Sequence, residues 1–260
     1  MNASGILAGK RIAILAADGV EQAELDAALA ALKEAGAQLT VLALRPGRIR
    51  GMHVHQPADL VRVDGKVDNA RAADFDGLLI PGGYIAPDLL RQSAQARDFV
   101  RGFDAAAKPI AAMSHAALVL VSSGLAARRT LTSWPGVRDD LVNAGAIWRN
   151  QPVVRDGHYL SSRTPEDAAA FVRELLPFMA GKAEAAAVQA KEDSDPPLQA
   201  PSEQPEQSLR WLAGPSLGAM LSLAIVGVGV VAANRSRRKR SSQEAETEPL
   251  PTAPDPRATP

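Results

Sequence analysis

Short, wholly apolar runs alternate with longer stretches of helical spacing over the first 180 or so residues. Residues 11–17 (RIAILAA), 39–44, 77–80 (GLLI) and 110–113 (IAAM) are continuous apolar runs, the pattern of a parallel strand buried on both faces. Leu60, Val61 and Val63, set among polar residues, predict a more exposed strand. Between these runs, 21–35, 93–107, 115–123 and 134–143 predict helices, with Gly36 and Gly124 as C-terminal stops and Lys108-Pro109 ending the second. Val153-Val154 and 159–162 flank the turn Arg155-Asp156-Gly157, and Thr164 and Pro165 sit as N-cap and first residue of a last helix. Strand–helix alternation predicts an α/β domain with a mainly parallel sheet covered on both faces.

Beyond residue 181 the pattern breaks. Residues 182–210 are acidic and proline-rich, lack the apolar content for a core, and read as a disordered linker. Residues 211–233 (WLAGPSLGAMLSLAIVGVGVVAA) carry no charge. At about 1.5 Å per residue they give roughly 34 Å of helix, enough to span a hydrocarbon core of about 30 Å. Five basic residues follow within 234–240 (NRSRRKR), opening a basic cuff and polar tail over 234–260. The expected organisation is therefore an α/β domain over 9–181, a linker, one C-terminal transmembrane helix in the lipid bilayer, and a tail. Two orientation signals oppose each other. The basic cuff places the domain outside by the positive-inside rule, whereas the opening MNASGILAGKRIAILAADG lacks a secretory pattern and predicts a cytoplasmic domain with a tail anchor.

Composition narrows the chemistry. Lys+Arg and Asp+Glu both number 29, which leaves no basic field for nucleic acid, and the cuff's place after an apolar span suits lipid headgroups better. There is no cysteine, hence no disulfide, thiolate ligand or thiol nucleophile. His53 and His55 lack a third ligand at metal spacing, and Asp139-Asp140 point about 100° apart on a helix, so neither pair makes a site. No metal or cofactor is expected.

In a parallel sheet, ligands bind beyond the carboxyl ends of the strands. Three loops fit: 18–21, 81–84 and 113–115. Around them stand AADGVEQAEL at 16–25, LLIPGGYIAPDLLR at 78–91 and KPIAAMSHAALVLVSSGL at 108–125, followed by TSWPGVRDDLVNAGAIW at 132–148 and VRDGHYLSSRTPED at 154–167. On these stretches residues 9–180 resemble the PfpI-type intracellular protease family, within the class I glutamine-amidotransferase-like superfamily. The resemblance implies a flavodoxin-like three-layer sandwich and peptidase-, glyoxalase- or deglycase-like chemistry, in some relatives tied to stress response. It implies a nucleophilic cysteine followed by histidine at a strained turn, and here that pair is Ser114-His115. It further implies that Glu21 contacts the nucleophile, that Gly82-Gly83 and the His115 N–H form an oxyanion hole, and that Asp88 is lent across a contact in a homo-oligomer. Ala116-Ala117 stand where the family has Gly-Pro.

Replacing cysteine by serine changes the chemistry. A thiol starts near pKa 8.5 and is ionised by a shift of two or three units, whereas a serine hydroxyl needs a base that takes its proton during attack. Glu21 serves only if burial raises its pKa, and His115, next to Ser114 in sequence, diverges from it at a tight turn. The leading expectation is a degenerate member that binds a small carbonyl or acyl ligand, or a protein partner, without catalysis. The alternatives are a serine-dependent hydrolase using Ser114, His115 and the Gly82-Gly83 loop, or residual thiol-independent activity resting on Glu21.

Overall fold

The structure, a computed structural model, describes residues 5–181 and 193–198. In chain order its strands are β1 (Arg11–Leu15), β2 (Val20–Glu21), β3 (Gln38–Ala43), β4 (Arg48–His53), β5 (Gln56–Arg62), β6 (Gly65–Lys66), β7 (Gly77–Ile80), β8 (Ile110–Met113), β9 (Thr130–Leu131), β10 (Ile147–Trp148), β11 (Val153–Asp156) and β12 (Tyr159–Ser162). Its helices are α1 (Gln22–Glu34), α2 (Ala86–Gln92), α3 (Ala94–Ala105), α4 (Ala117–Ser122), α5 (Arg138–Asn143) and α6 (Ala168–Met179). Single 3-10 turns lead into α4, α5 and α6.

Seven strands form the main sheet in the order β11-β12-β8-β7-β1-β3-β6, all parallel except β11, which pairs antiparallel with β12. The apolar runs RIAIL, GLLI and IAAM are buried along nearly their whole length, as central parallel strands must be. Helices α1 and α6 pack together, and α2, α3, α4 and α5 pack as a second group, giving the flavodoxin-like arrangement. Because β8, β7 and β1 are neighbours, their carboxyl ends lie side by side, and the three loops singled out in the sequence leave the sheet at one place.

Several local expectations hold and others need correction. Ser93 caps α3, its hydroxyl accepting the Ala96 N–H, and Gly36 adopts φ +89° just after α1. Thr164, by contrast, makes no capping bond to the backbone; its hydroxyl donates to Asp167 instead. The exposed strand around Leu60 is one arm of a hairpin, β4–β5, that also pairs with β2. Its first arm went unpredicted because Arg48, Arg50 and His53 break any apolar run. Residues 193–198, placed by composition in a free linker, carry hydrogen bonds onto the α/β domain. Among the described residues no helix is long and apolar enough to cross a membrane; the 211–233 span and the basic tail lie outside the described residues.

Phe103 of α3 is fully buried against Phe75 and Phe99, with ring centroids 6.5 and 5.2 Å away. Phe103→Ala is expected to destabilise the domain by about 3–5 kcal/mol in denaturant titration.

Candidate functional site

The turn after β8 is built around a strained residue. Met113 is extended, Ser114 takes φ +54°, and the chain enters a helical turn at once. A left-handed backbone at a residue with a Cβ costs about 1–2 kcal/mol and persists only where the surroundings fix it. Here Ser114 is buried, and its carbonyl accepts the Trp134 N–H. Its hydroxyl donates to the Arg163 carbonyl at 3.3 Å, and the carboxyl of Glu24 lies beside it. The N–H groups of Ser114 and His115 head the helical turn and are not used by it.

Glu24 is the group that the sequence reading missed. It is completely buried on α1, and its Oε2 accepts the Gly82 N–H at 2.7 Å. Its Oε1 has no partner among the described residues. Burial from water pushes its pKa from the ordinary 4.5 up to about 7; the Gly82 N–H and the Ser114 hydroxyl oppose this, and the charges of Glu21 and Glu166 add to it. A signal was present: Glu24 lies on the stripe with Ala28 and Leu32, the buried face of α1, where an unpaired carboxylate has no packing reason to be.

Glu21 does line the cleft beside Ser114, but its carboxylate is otherwise engaged. Oε2 accepts the Val54 N–H at 2.9 Å, and Oε1 lies 3.9 Å from His53 Nδ1. The buried carboxyl beside Ser114 is therefore that of Glu24, three residues on. Gly82 needs a second correction, since its N–H is spent on Glu24 and does not face a ligand. What Gly82 contributes is space: a Cβ there would meet Glu24 Oε2 at 2.6 Å and Ser114 Cβ at 2.7 Å. Gly83 lines the cleft with φ +109°, and a Cβ on it would strike the Gly19 carbonyl oxygen at 2.3 Å, so the β1 and β7 loops touch only because this residue is glycine.

His115 points away from the Ser114–Glu24 pair into an aromatic wall. Its ring stacks on Trp134 at 5.1 Å and meets Tyr84 at 4.6 Å. Burial lowers its pKa to about 4, so it is neutral at physiological pH. Asp88 lies outside the cleft on α2, accepting from Arg91 Nε at 2.9 Å and Gln92 Nε2 at 3.0 Å. The cleft itself, narrow with about 30 Å³ of free space, is bounded by Ser114, Glu21, Gly83, the aromatic wall and Glu166. Its charged walls are carboxylates. Among the described residues no three potential metal ligands cluster together. Chemically, the arrangement is a hydroxyl at a fixed bend, a carboxyl behind it that titrates near neutrality, and helix-heading N–H groups beside it.

The model of the DJ-1/PfpI family matches residues 10–177. The protein named Deglycase PfpI, from Pyrococcus furiosus, is 36% identical over 166 residues, which cover 64% of this chain and 97% of that protein. Among solved structures, the chain is similar to DJ-1beta of Drosophila melanogaster, with 28% identity and a TM-score of 0.61 over 66% of this chain and 91% of that one. It is also similar to a two-domain protein of Anabaena variabilis containing dj-1/thij/pfpi-like and ferritin-like domains, with 30% identity and a TM-score of 0.62. That match covers 71% of this chain and 52% of the two-domain protein, so the chain spans about half of it.

The raised pKa of Glu24 gives a signed pH dependence. Between pH 4.5 and about 7 the folded protein keeps a proton that the unfolded chain has released. The contribution is fully present below 4.5 and is lost as pH rises through about 7. Glu24→Gln is therefore expected to gain stability relative to the unsubstituted protein across that window, by an amount of order 3 kcal/mol. Thermal melts of both proteins at a series of pH values measure it.

Proposed function

The chain belongs to the DJ-1/PfpI family, and from that premise we propose that its α/β domain binds a small carbonyl compound in the Ser114 cleft and adds to it through the serine hydroxyl. The observation that supports this is the buried carboxyl of Glu24, titrating near 7, behind a hydroxyl held at φ +54°. A general base works best when its pKa lies near the operating pH, and Glu24 meets that condition where an ordinary glutamate does not. In the addition, the Oγ–C bond forms as the carbonyl π bond breaks, Glu24 takes the hydroxyl proton, and the N–H groups of Gly83 and His115 receive the developing oxyanion. Glu24 then returns its proton to that oxygen, giving a neutral hemiacetal. His115 has no part in the proton transfer; it is neutral and packed between rings.

A second reading is the degenerate member that binds its ligand without turnover. It is favoured by Ser114 itself, which stands where the resemblance places a cysteine and lacks the thiol's low pKa. Under both readings the domain self-associates, with Asp88 near the contact. Under both, residues 211–233 form a single-pass anchor that holds the domain on the cytoplasmic side of the bilayer.

Methylglyoxal consumption by the full-length protein in detergent separates the readings. Adduct formation of at most one methylglyoxal per chain is expected, its rate climbing about tenfold per pH unit below 7 and levelling off above it as Glu24 ionises. Ser114→Ala is expected to abolish it, Glu24→Gln to lower it about tenfold or more, and Ser114→Cys to raise it. Equal rates for the unsubstituted protein and Ser114→Ala overturn the serine chemistry. In that case ligand binding without consumption, measured by calorimetry, supports the second reading.

A further inference from the structure

The segment 193–198 lies beyond the residues that match the family, and it is seated on the α/β domain by contacts that read its side chains. Strand β10 has β9 on one side: the N–H groups of Ile147 and Arg149 donate to the carbonyls of Arg129 and Leu131. The alternate residues face the other way, as strand geometry requires, and there they meet the segment. Trp148 N–H donates to Ser194 Oγ at 2.9 Å, the Trp148 carbonyl accepts the Asp195 N–H at 2.9 Å, and Asn150 N–H donates to Asp195 Oδ2 at 2.9 Å. Two arginines add charge. Arg138 Nε donates to the Asp195 carbonyl at 2.9 Å. Arg149, only 7% exposed, donates to the Asp193 carbonyl and lies 3.8 Å from the Asp195 carboxylate. Pro196 and Pro197 then end the pairing, since neither has an N–H to offer.

The segment is not itself a strand; it meets the strand edge largely through side chains, which gives the contact a sequence requirement. A generic peptide added to a sheet edge supplies backbone carbonyls. Here two of the three edge bonds end on the side-chain oxygens of Ser194 and Asp195, and Arg149 beside the Asp195 carboxylate favours an acidic residue there. The seat also touches the walls of the Ser114 cleft. Trp148 Nε1 donates to Ser133 Oγ at 3.0 Å, next to Trp134 of the aromatic wall. Asn150 Oδ1 accepts from Arg163 Nη1 at 2.8 Å, and the Arg163 carbonyl is an acceptor for the Ser114 hydroxyl.

We propose that the outer edge of β10, with Arg138 and Arg149, is a docking site for an extended Asp-Ser-Asp segment, and that its occupant is this chain's own Asp193-Ser194-Asp195. The composition that marks 182–210 as a tether therefore includes a fastening point, and the tail is pinned to the domain at that point.

Amide hydrogen exchange on the full-length protein tests the proposal without reference to activity. The Trp148 and Asn150 amides are expected to exchange at least tenfold faster in Asp195→Arg than in the unsubstituted protein, with the amides of β8 unchanged. A synthetic peptide of residues 191–198 (KEDSDPPL), added to the Asp195→Arg protein, is expected to restore protection at Trp148 and Asn150, and the same peptide carrying Asp195→Arg is not. Ser194→Ala is the gentler variant should charge reversal disturb the β8 amides; it removes the acceptor of the Trp148 N–H and is expected to release that amide. Equal exchange at Trp148 and Asn150 in the unsubstituted and Asp195→Arg proteins overturns the proposal. So does a peptide that fails to restore protection, or a Trp148 amide that stays protected in Ser194→Ala.

Discussion

Glu24 reaches from α1 to the place where the ends of β7 and β8 meet, and its carboxyl takes the Gly82 N–H there with the Ser114 hydroxyl beside it. Three segments far apart in sequence are joined through one group that no water touches. The same contacts dictate the glycine at 82, which leaves the carboxyl room, and help hold the backbone of Ser114 in a conformation it would leave if free. A carboxyl confined in this way is hard to ionise. It ties α1 to the sheet and brings proton chemistry near neutrality to a cleft whose one histidine is too dehydrated to provide it.

The sheet was legible from the sequence because its central strands are short apolar runs, and a parallel strand covered on both faces admits little else. The meeting of the three loops followed from strand order alone. Of the proposed site residues, Ser114, His115, Glu21 and Gly83 do line one cleft. What the sequence left hidden was which of two glutamates on one helical turn faces inward. Glu21 and Glu24 are three residues apart, and a shift of part of a turn decides which meets the hairpin and which lies beside the serine. The part played by Gly82 was hidden for a related reason: an N–H that faces a ligand and one that faces a buried carboxylate look alike in one dimension. Residues 193–195 were illegible because acidic, proline-flanked composition describes what a segment does in isolation and cannot register two arginines waiting elsewhere in the fold.

Histidine 115 shows how a familiar pairing of residue types can mislead. A serine followed by a histidine invites a nucleophile–base assignment, yet consecutive side chains leave a bend in different directions. The ring lies against Trp134 and Tyr84, with no carboxylate to hold a charged form. Its contribution is shape and dryness: three rings close one side of the cleft and leave the acidic groups as the polar features facing a bound molecule.

The seat of Asp193–Asp195 on β10 also bears on reach. Counted from Gly181, the last described residue after α6, 29 residues precede Trp211; counted from Leu198, only 12 do. Fully drawn out at about 3.5 Å per residue, the first length extends roughly 100 Å and the second about 45 Å. With Asp193–Asp195 seated, the free chain between the α/β domain and Trp211 is less than half as long as the residue count from Gly181 suggests, and unfastening three residues more than doubles its greatest reach.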